Sequence, residues 1–138
     1  MEGVEFIRYG DLLFGMVIRK TTHADKTRFF TPDESPLQFG LLAHPRGFVE
    51  PPHYHKPIPR TIRALQQMFV VQRGTLAMDF FDDQGRKVVE VVASPGDAVL
   101  LMDGAHSLRG LEDFQCVSVK QGPFLGAEND KVEISPRS

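Results

Sequence analysis

Apolar residues along this chain recur in short blocks, kept apart by Gly, Pro and Asp. Seven blocks read as strands: 12–20, 37–44, 68–73, 75–81, 87–93, 98–102 and 114–120. The clearest stretch is 67–81. There a Met-Phe-Val-Val run stops at Arg73-Gly74, and Leu76, Met78 and Phe80 then alternate with Thr75, Ala77 and Asp79. Alternation with period two places one set of side chains on each face of a strand. Asp82-Asp83-Gln84-Gly85 follows and leads into Lys87-Val88-Val89-Glu90-Val91-Val92, which predicts a hairpin whose short loop ends in glycine. No stretch shows a comparable helical period, and regularly spaced short strands predict an all-β sandwich or barrel.

Two proline-rich stretches break the pattern. Residues 31–36 read as a loop, and Pro51-Pro52-His53-Tyr54-His55-Lys56-Pro57-Ile58-Pro59 reads as extended backbone, because proline drives its predecessor toward β or polyproline geometry. The polar tail, 128–138, is expected to be a frayed end with at most a short strand at 132–134. With 138 residues and no internal repeat or linker, a single domain is expected over 1–138, its barrel core spanning about 37–122.

Composition narrows the function classes. Sixteen basic against eighteen acidic residues give a formal charge of −2, which lacks the basic excess of a nucleic-acid-binding surface. The single cysteine, Cys116, excludes an intrachain disulfide and a cysteine-based zinc site and reads as a small buried hydrophobe. The first ten residues carry Glu2, Glu5 and Arg8 without a continuous apolar run, and no run of 18 apolar residues occurs anywhere, so a cytoplasmic location without membrane insertion is expected.

Histidine is the suggestive residue type. His53 and His55 lie two apart in an extended segment, so their imidazoles are expected on one face as a convergent pair of metal-ligand nitrogens. His23 and His44 read as surface or turn histidines. Lys56, Arg60 and Arg63 follow the pair, and guanidinium forks suit carboxylate or diphosphate groups. Lys120, after the last confident strand, is a further candidate for substrate binding.

The frame around the pair resembles the two motifs of the cupin superfamily. Gly47 is followed by five residues and His53-Tyr54-His55; Gln67 is followed by six residues and Gly74; Pro95-Gly96-Asp97 leads through Gly104 to His106. The resemblance implies a single-domain cupin β-barrel, a double-stranded β-helix or jelly-roll, with a divalent metal (Zn, Fe, Ni or Mn) held inside by His53, His55, Gln67 and His106. The chain departs from the family pattern in three ways. Residues 56–66, eleven in all, stand where three or four are usual; Gln67 stands in the glutamate position; and Met102, Gly110 and the shortened interval from Gly104 to His106 alter the second motif. An all-neutral ligand set leaves the ion its full charge, lowering affinity and raising Lewis acidity. Glu50 and Asp103 are spare carboxylates that could replace Gln67.

The stretch Val119-Lys120-Gln121-Gly122-Pro123-Phe124, followed by Glu128-Asn129-Asp130-Lys131, looks like the C-terminal signature of small cupins of sugar and polysaccharide biosynthesis. The layout is also similar to nucleotide-sugar ketoisomerase cupins, in which histidines serve as acid/base groups without metal. The favoured expectation is a metal-binding protein acting as an isomerase or epimerase on a small carbohydrate-derived or carboxylated substrate. The alternatives are a metal-dependent dioxygenase and a non-catalytic small-ligand-binding cupin. A homodimer is expected because sheet edges need cover.

Overall fold

The computed structural model describes residues 1–137. Ten strands follow in order: β1 (Val4–Tyr9), β2 (Leu12–Ile18), β3 (Arg28–Phe29), β4 (Gly40–Leu41), β5 (Gln67–Arg73), β6 (Leu76–Phe81), β7 (Lys87–Ala93), β8 (Ala98–Leu101), β9 (Ala105–Gly110) and β10 (Gln115–Lys120). One four-residue helix, α1 (Ala127–Asp130), lies in the tail. The protein is all-β. Its strands form three antiparallel sheets, ordered β1-β2-β8-β5-β10, β7-β6-β9 and β3-β4, none of which closes into a barrel.

The two larger sheets share a core. Cross-strand partners lie on one face of a sheet, so Phe69 with Val99 in one sheet and Met78 with Val91 in the other identify the inner faces. The cluster between them contains Phe14, Val17, Phe69, Val71, Leu76, Met78, Phe80, Val99 and Leu101. Each large side chain buried there contributes about 1.5–3 kcal/mol. The rings of Phe14 and Phe80 meet at 5.6 Å between centroids. Phe14 reaches this core through a bulge: Ile7 pairs with Gly15 and Arg8 with Leu13, which leaves Phe14 without a partner. Met16 and Ile18 consequently point to the opposite face, where Phe39, Leu37 and Leu41 cover them and Leu100.

Several sequence expectations change. The block 37–44 contains only two strand residues, Gly40–Leu41, while β1 and β9 arise where no strand was expected. The 132–134 segment carries no strand; Arg137 instead makes an isolated parallel bridge with Arg86. The proline-rich 51–59 stretch is exposed and belongs to no sheet. No helix among the described residues is long and apolar enough to cross a membrane.

β1 and β7 meet along one side of the two sheets. On the other side lie β9 and β10, each laddered among the described residues on one edge only, β9 to β6 and β10 to β5.

Candidate functional site

The register places an inward-facing polar row beside the core. Gln67 pairs with Leu101 and with Lys120, Phe69 with Ser118, and Val71 with Cys116. Since Leu101, Phe69 and Val71 face inward, so do Gln67, Lys120, Ser118 and Cys116. In the facing sheet His106 pairs with Phe80 and Leu108 with Met78, which turns both inward. Gln67 and His106 therefore face the space between the sheets from opposite walls.

Each group on these walls has a defined environment. Gln67 donates its Nε2 to Ser118 Oγ at 2.8 Å, so the amide is oriented and its carbonyl oxygen is turned away from that hydroxyl. Burial lowers the pKa of His106 below the ordinary histidine value, and repulsion from the Lys131 charge adds to the effect, although the side chain keeps an exposed edge. Neutral imidazole, the form that binds metals, is thereby favoured. Lys120 Nζ lies 3.6 Å from the Asp130 carboxylate and 5.1 Å from the Phe124 ring centroid. Burial pushes the Cys116 thiol up, consistent with a small hydrophobe flanking the core.

The histidine pair sits elsewhere, on an exposed arm. Residues 42–66 join β4 to β5, with 42–65 forming the arm before the buried Gln66, and from 49 to 65 no backbone group takes a main-chain partner among the described residues. His53 and His55 are together on this arm, ring centroids 5.3 Å apart and edge to face. The Glu50 carboxylate lies 3.6 Å from His53 Nε2, and His53 Nδ1 lies 2.9 Å from the Pro51 carbonyl oxygen. Of the two spare carboxylates, Glu50 accompanies the pair, whereas Asp103 lines a separate cleft of ≈ 640 Å³ with Asp82, Asp83 and Arg137. Arg60 and Arg63 are exposed on the arm and enter no ion pair among the described residues.

The four expected ligands thus occupy two places: His53 with His55 on the arm, and Gln67 with His106 on the inner walls. Among the described residues, no group of three or more His, Cys, Asp or Glu side chains is placed to hold a metal ion. His44 stacks on Phe48 at 3.8 Å and His23 pairs with Asp25 at 3.0 Å, both at the surface. The Lys131 charge beside His106 went unread in the sequence, because only folding brings the tail to β9.

No family model, no curated protein and no solved structure matches the chain. What fold and site together define is an all-β protein in which His106 and Gln67 stand on the facing inner walls of two sheets.

Proposed function

We propose that this chain is a metal-binding protein of cupin type, acting as an isomerase or epimerase on a small carbohydrate-derived or carboxylated substrate. The observation that carries this reading is the closeness of His53 and His55, whose rings lie 5.3 Å apart on the arm with the Glu50 carboxylate beside them, imidazole being a common ligand of divalent metals. Strand order adds support. From β5 on, the chain passes to the β6–β7 hairpin of the second sheet, back to β8, over to β9 and back to β10, a wrap of the kind expected of a jelly-roll. The inner walls supply the remaining donors, a His106 biased toward its neutral form and a Gln67 carbonyl oxygen.

The residues fit a divalent ion with nitrogen-rich, neutral ligation once the two pairs come together. When bound, such an ion supplies Lewis acidity toward a substrate oxygen. The chain supplies the binding of an anionic group. Lys120, paired with Asp130, faces inward beside Gln67, and the Lys131 charge acts on His106, so an ammonium group bears on each of the two walls. Arg60 and Arg63 add guanidinium forks wherever the arm covers those walls.

Elemental analysis of protein purified without added metal, repeated on His53→Ala and His106→Ala, tests the reading. One equivalent of divalent ion per chain in the wild type, lost in both variants, is expected. A wild type that carries no ion and gains none on titration with Zn, Fe, Ni or Mn overturns it.

A further inference from the structure

The arm and the β9–β10 side complement each other and are both open within one chain. The arm carries Leu42, Val49 and Tyr54 at 76%, 79% and 85% exposure, with Phe48, Ile58, Ile62 and Leu65 also exposed. On the β9–β10 side Leu108, Leu111, Phe114 and Phe124 are exposed as well. Val117 and Val119, at 48% and 49%, stand on the outer face of β10 beside Val70 and Met68. So much apolar surface on two features of one small domain marks surface meant to be covered.

Their charges are opposite. Residues 42–65 hold Arg46, Lys56, Arg60 and Arg63 against Glu50, a net of +3. Residues 111–133 hold Glu112, Asp113, Glu128, Asp130 and Glu133 against Lys120 and Lys131, a net of −3. None of the four arm cations forms an ion pair among the described residues. Complementary potentials of this kind steer and orient association.

The backbone is equally unsatisfied. β9 presents one unpaired edge, and the arm between Pro52 and Pro57 offers four consecutive residues, His53 to Lys56, with free main-chain donors. Tied to its own domain at both ends, by β4 and β5, an arm of 24 residues reaches at most about 40 Å out and back, enough to lie along one edge of a second domain of radius of gyration about 14 Å.

From these observations we infer that the arm of one copy lies along the β9–β10 side of a second copy, so that His53 and His55 of each chain face His106 of the partner subunit. The inference rests on the metal-centre reading above and deepens it, because the centre is then divided between two copies of the chain. The contact is isologous, each copy giving an arm and receiving one. It also sets the arm cations over the acidic 111–133 surface of the partner.

Co-expression of a His53→Ala/His55→Ala chain with a differently tagged His106→Ala chain, followed by double-tag purification and metal analysis, tests the division. The mixed dimer contains one site with all three histidines and one with none, so one ion per dimer is expected, whereas each variant alone holds none. A wild type with one ion per chain beside a mixed dimer with none overturns the inference and leaves the metal reading intact. Light scattering gives a readout independent of metal: the wild type is a dimer at tens of micromolar, and Arg60→Glu/Arg63→Glu is a monomer with unchanged circular dichroism. A monomeric wild type overturns the inference. A metal-free wild type whose dimer the charge reversal still dissociates retires the metal centre and sustains the arm exchange.

Discussion

The carboxylate of Asp97 accepts the backbone N–H of Lys20 at 2.9 Å, across 77 positions of sequence. Its second oxygen accepts the Ser94 N–H at 3.0 Å and Arg19 Nη1 at 3.1 Å. One buried side chain thus ties the turn before β8 to the end of β2. Removing it leaves two backbone donors and a guanidinium short of an acceptor, so Asp97→Ala is expected to cost about 2–4 kcal/mol. Asp97→Asn, which keeps one acceptor, should cost roughly half as much. Urea unfolding followed by circular dichroism measures both; equal midpoints for wild type and Asp97→Ala would remove this residue from the stabilising framework.

Asp79 links stability to pH. Its carboxylate is buried on the outer face of β6, with Arg109 Nε at 2.6 Å and Lys87 Nζ at 3.6 Å. The Arg109 hydrogen bond holds its pKa below the ordinary aspartate value, against the opposing effect of burial. A lowered folded-state pKa gives stability that is complete above the unfolded pKa, near 4, and that is lost as pH falls through the folded value. Because both basic partners are half exposed, Asp79→Asn should cost only about 1–2 kcal/mol at pH 7. The difference between wild type and variant should shrink in melts below about pH 4; a difference that widens on acidification would contradict the assignment.

Gly74 and Gly10 form a matched test of turn chemistry. Both have positive φ, 75° and 60°, but a Cβ on Gly74 would meet the Asp113 carbonyl oxygen at 2.0 Å, whereas one on Gly10 meets nothing within 4 Å. Gly10→Ala should therefore cost about 1 kcal/mol from backbone conformation alone. Gly74→Ala adds a backbone collision and should cost at least twice that, about 2–3 kcal/mol. Thermal melts of the two variants side by side read the contrast directly.

Gln67→Glu tests the character of the proposed centre. A carboxylate in place of a neutral carbonyl oxygen adds a charge to the ligand set, so divalent-metal affinity should rise by at least about tenfold, 1.4 kcal/mol. Isothermal titration with Zn resolves a change of that size. An unchanged affinity would place Gln67 outside the ligand set and confine it to its hydrogen bond with Ser118.

Local signals made part of this fold legible. The β6–β7 hairpin was readable because Leu76, Met78 and Phe80 alternate and Gly85 ends the loop; Asp82 Oδ1 then accepts the Gln84 and Arg86 N–H groups, both at 2.9 Å. β9 was not readable. Its sequence, Ala-His-Ser-Leu-Arg-Gly, holds one large apolar residue, and its strand character comes from laddering to β6 about 30 positions earlier. β1 escaped for a similar reason, since only Ile7 is buried in it. The pairing of His53 with His55 followed from their spacing. The inward aspect of His106 and Gln67 was implied by the cupin resemblance alone, since strand register fixes it through partners distant in sequence, and the same resemblance placed inside a His53 and a His55 that lie on the exposed arm.

The bulge at Phe14 gives β2 a split allegiance. On one side of it the strand is in phase with the inter-sheet core through Phe14 itself; beyond it, Met16 and Ile18 serve the layer under Phe39 while Val17 returns to the core. Ordinary alternation of Met16, Val17 and Ile18 already feeds two layers, and the one surplus residue works as a phase-shifter that adds an inward ring ahead of Gly15. Length at that position is therefore constrained more tightly than identity: another large apolar residue in place of Phe14 keeps that inward position filled, whereas deleting it returns β2 to one phase and strips an aromatic ring from beside Phe80.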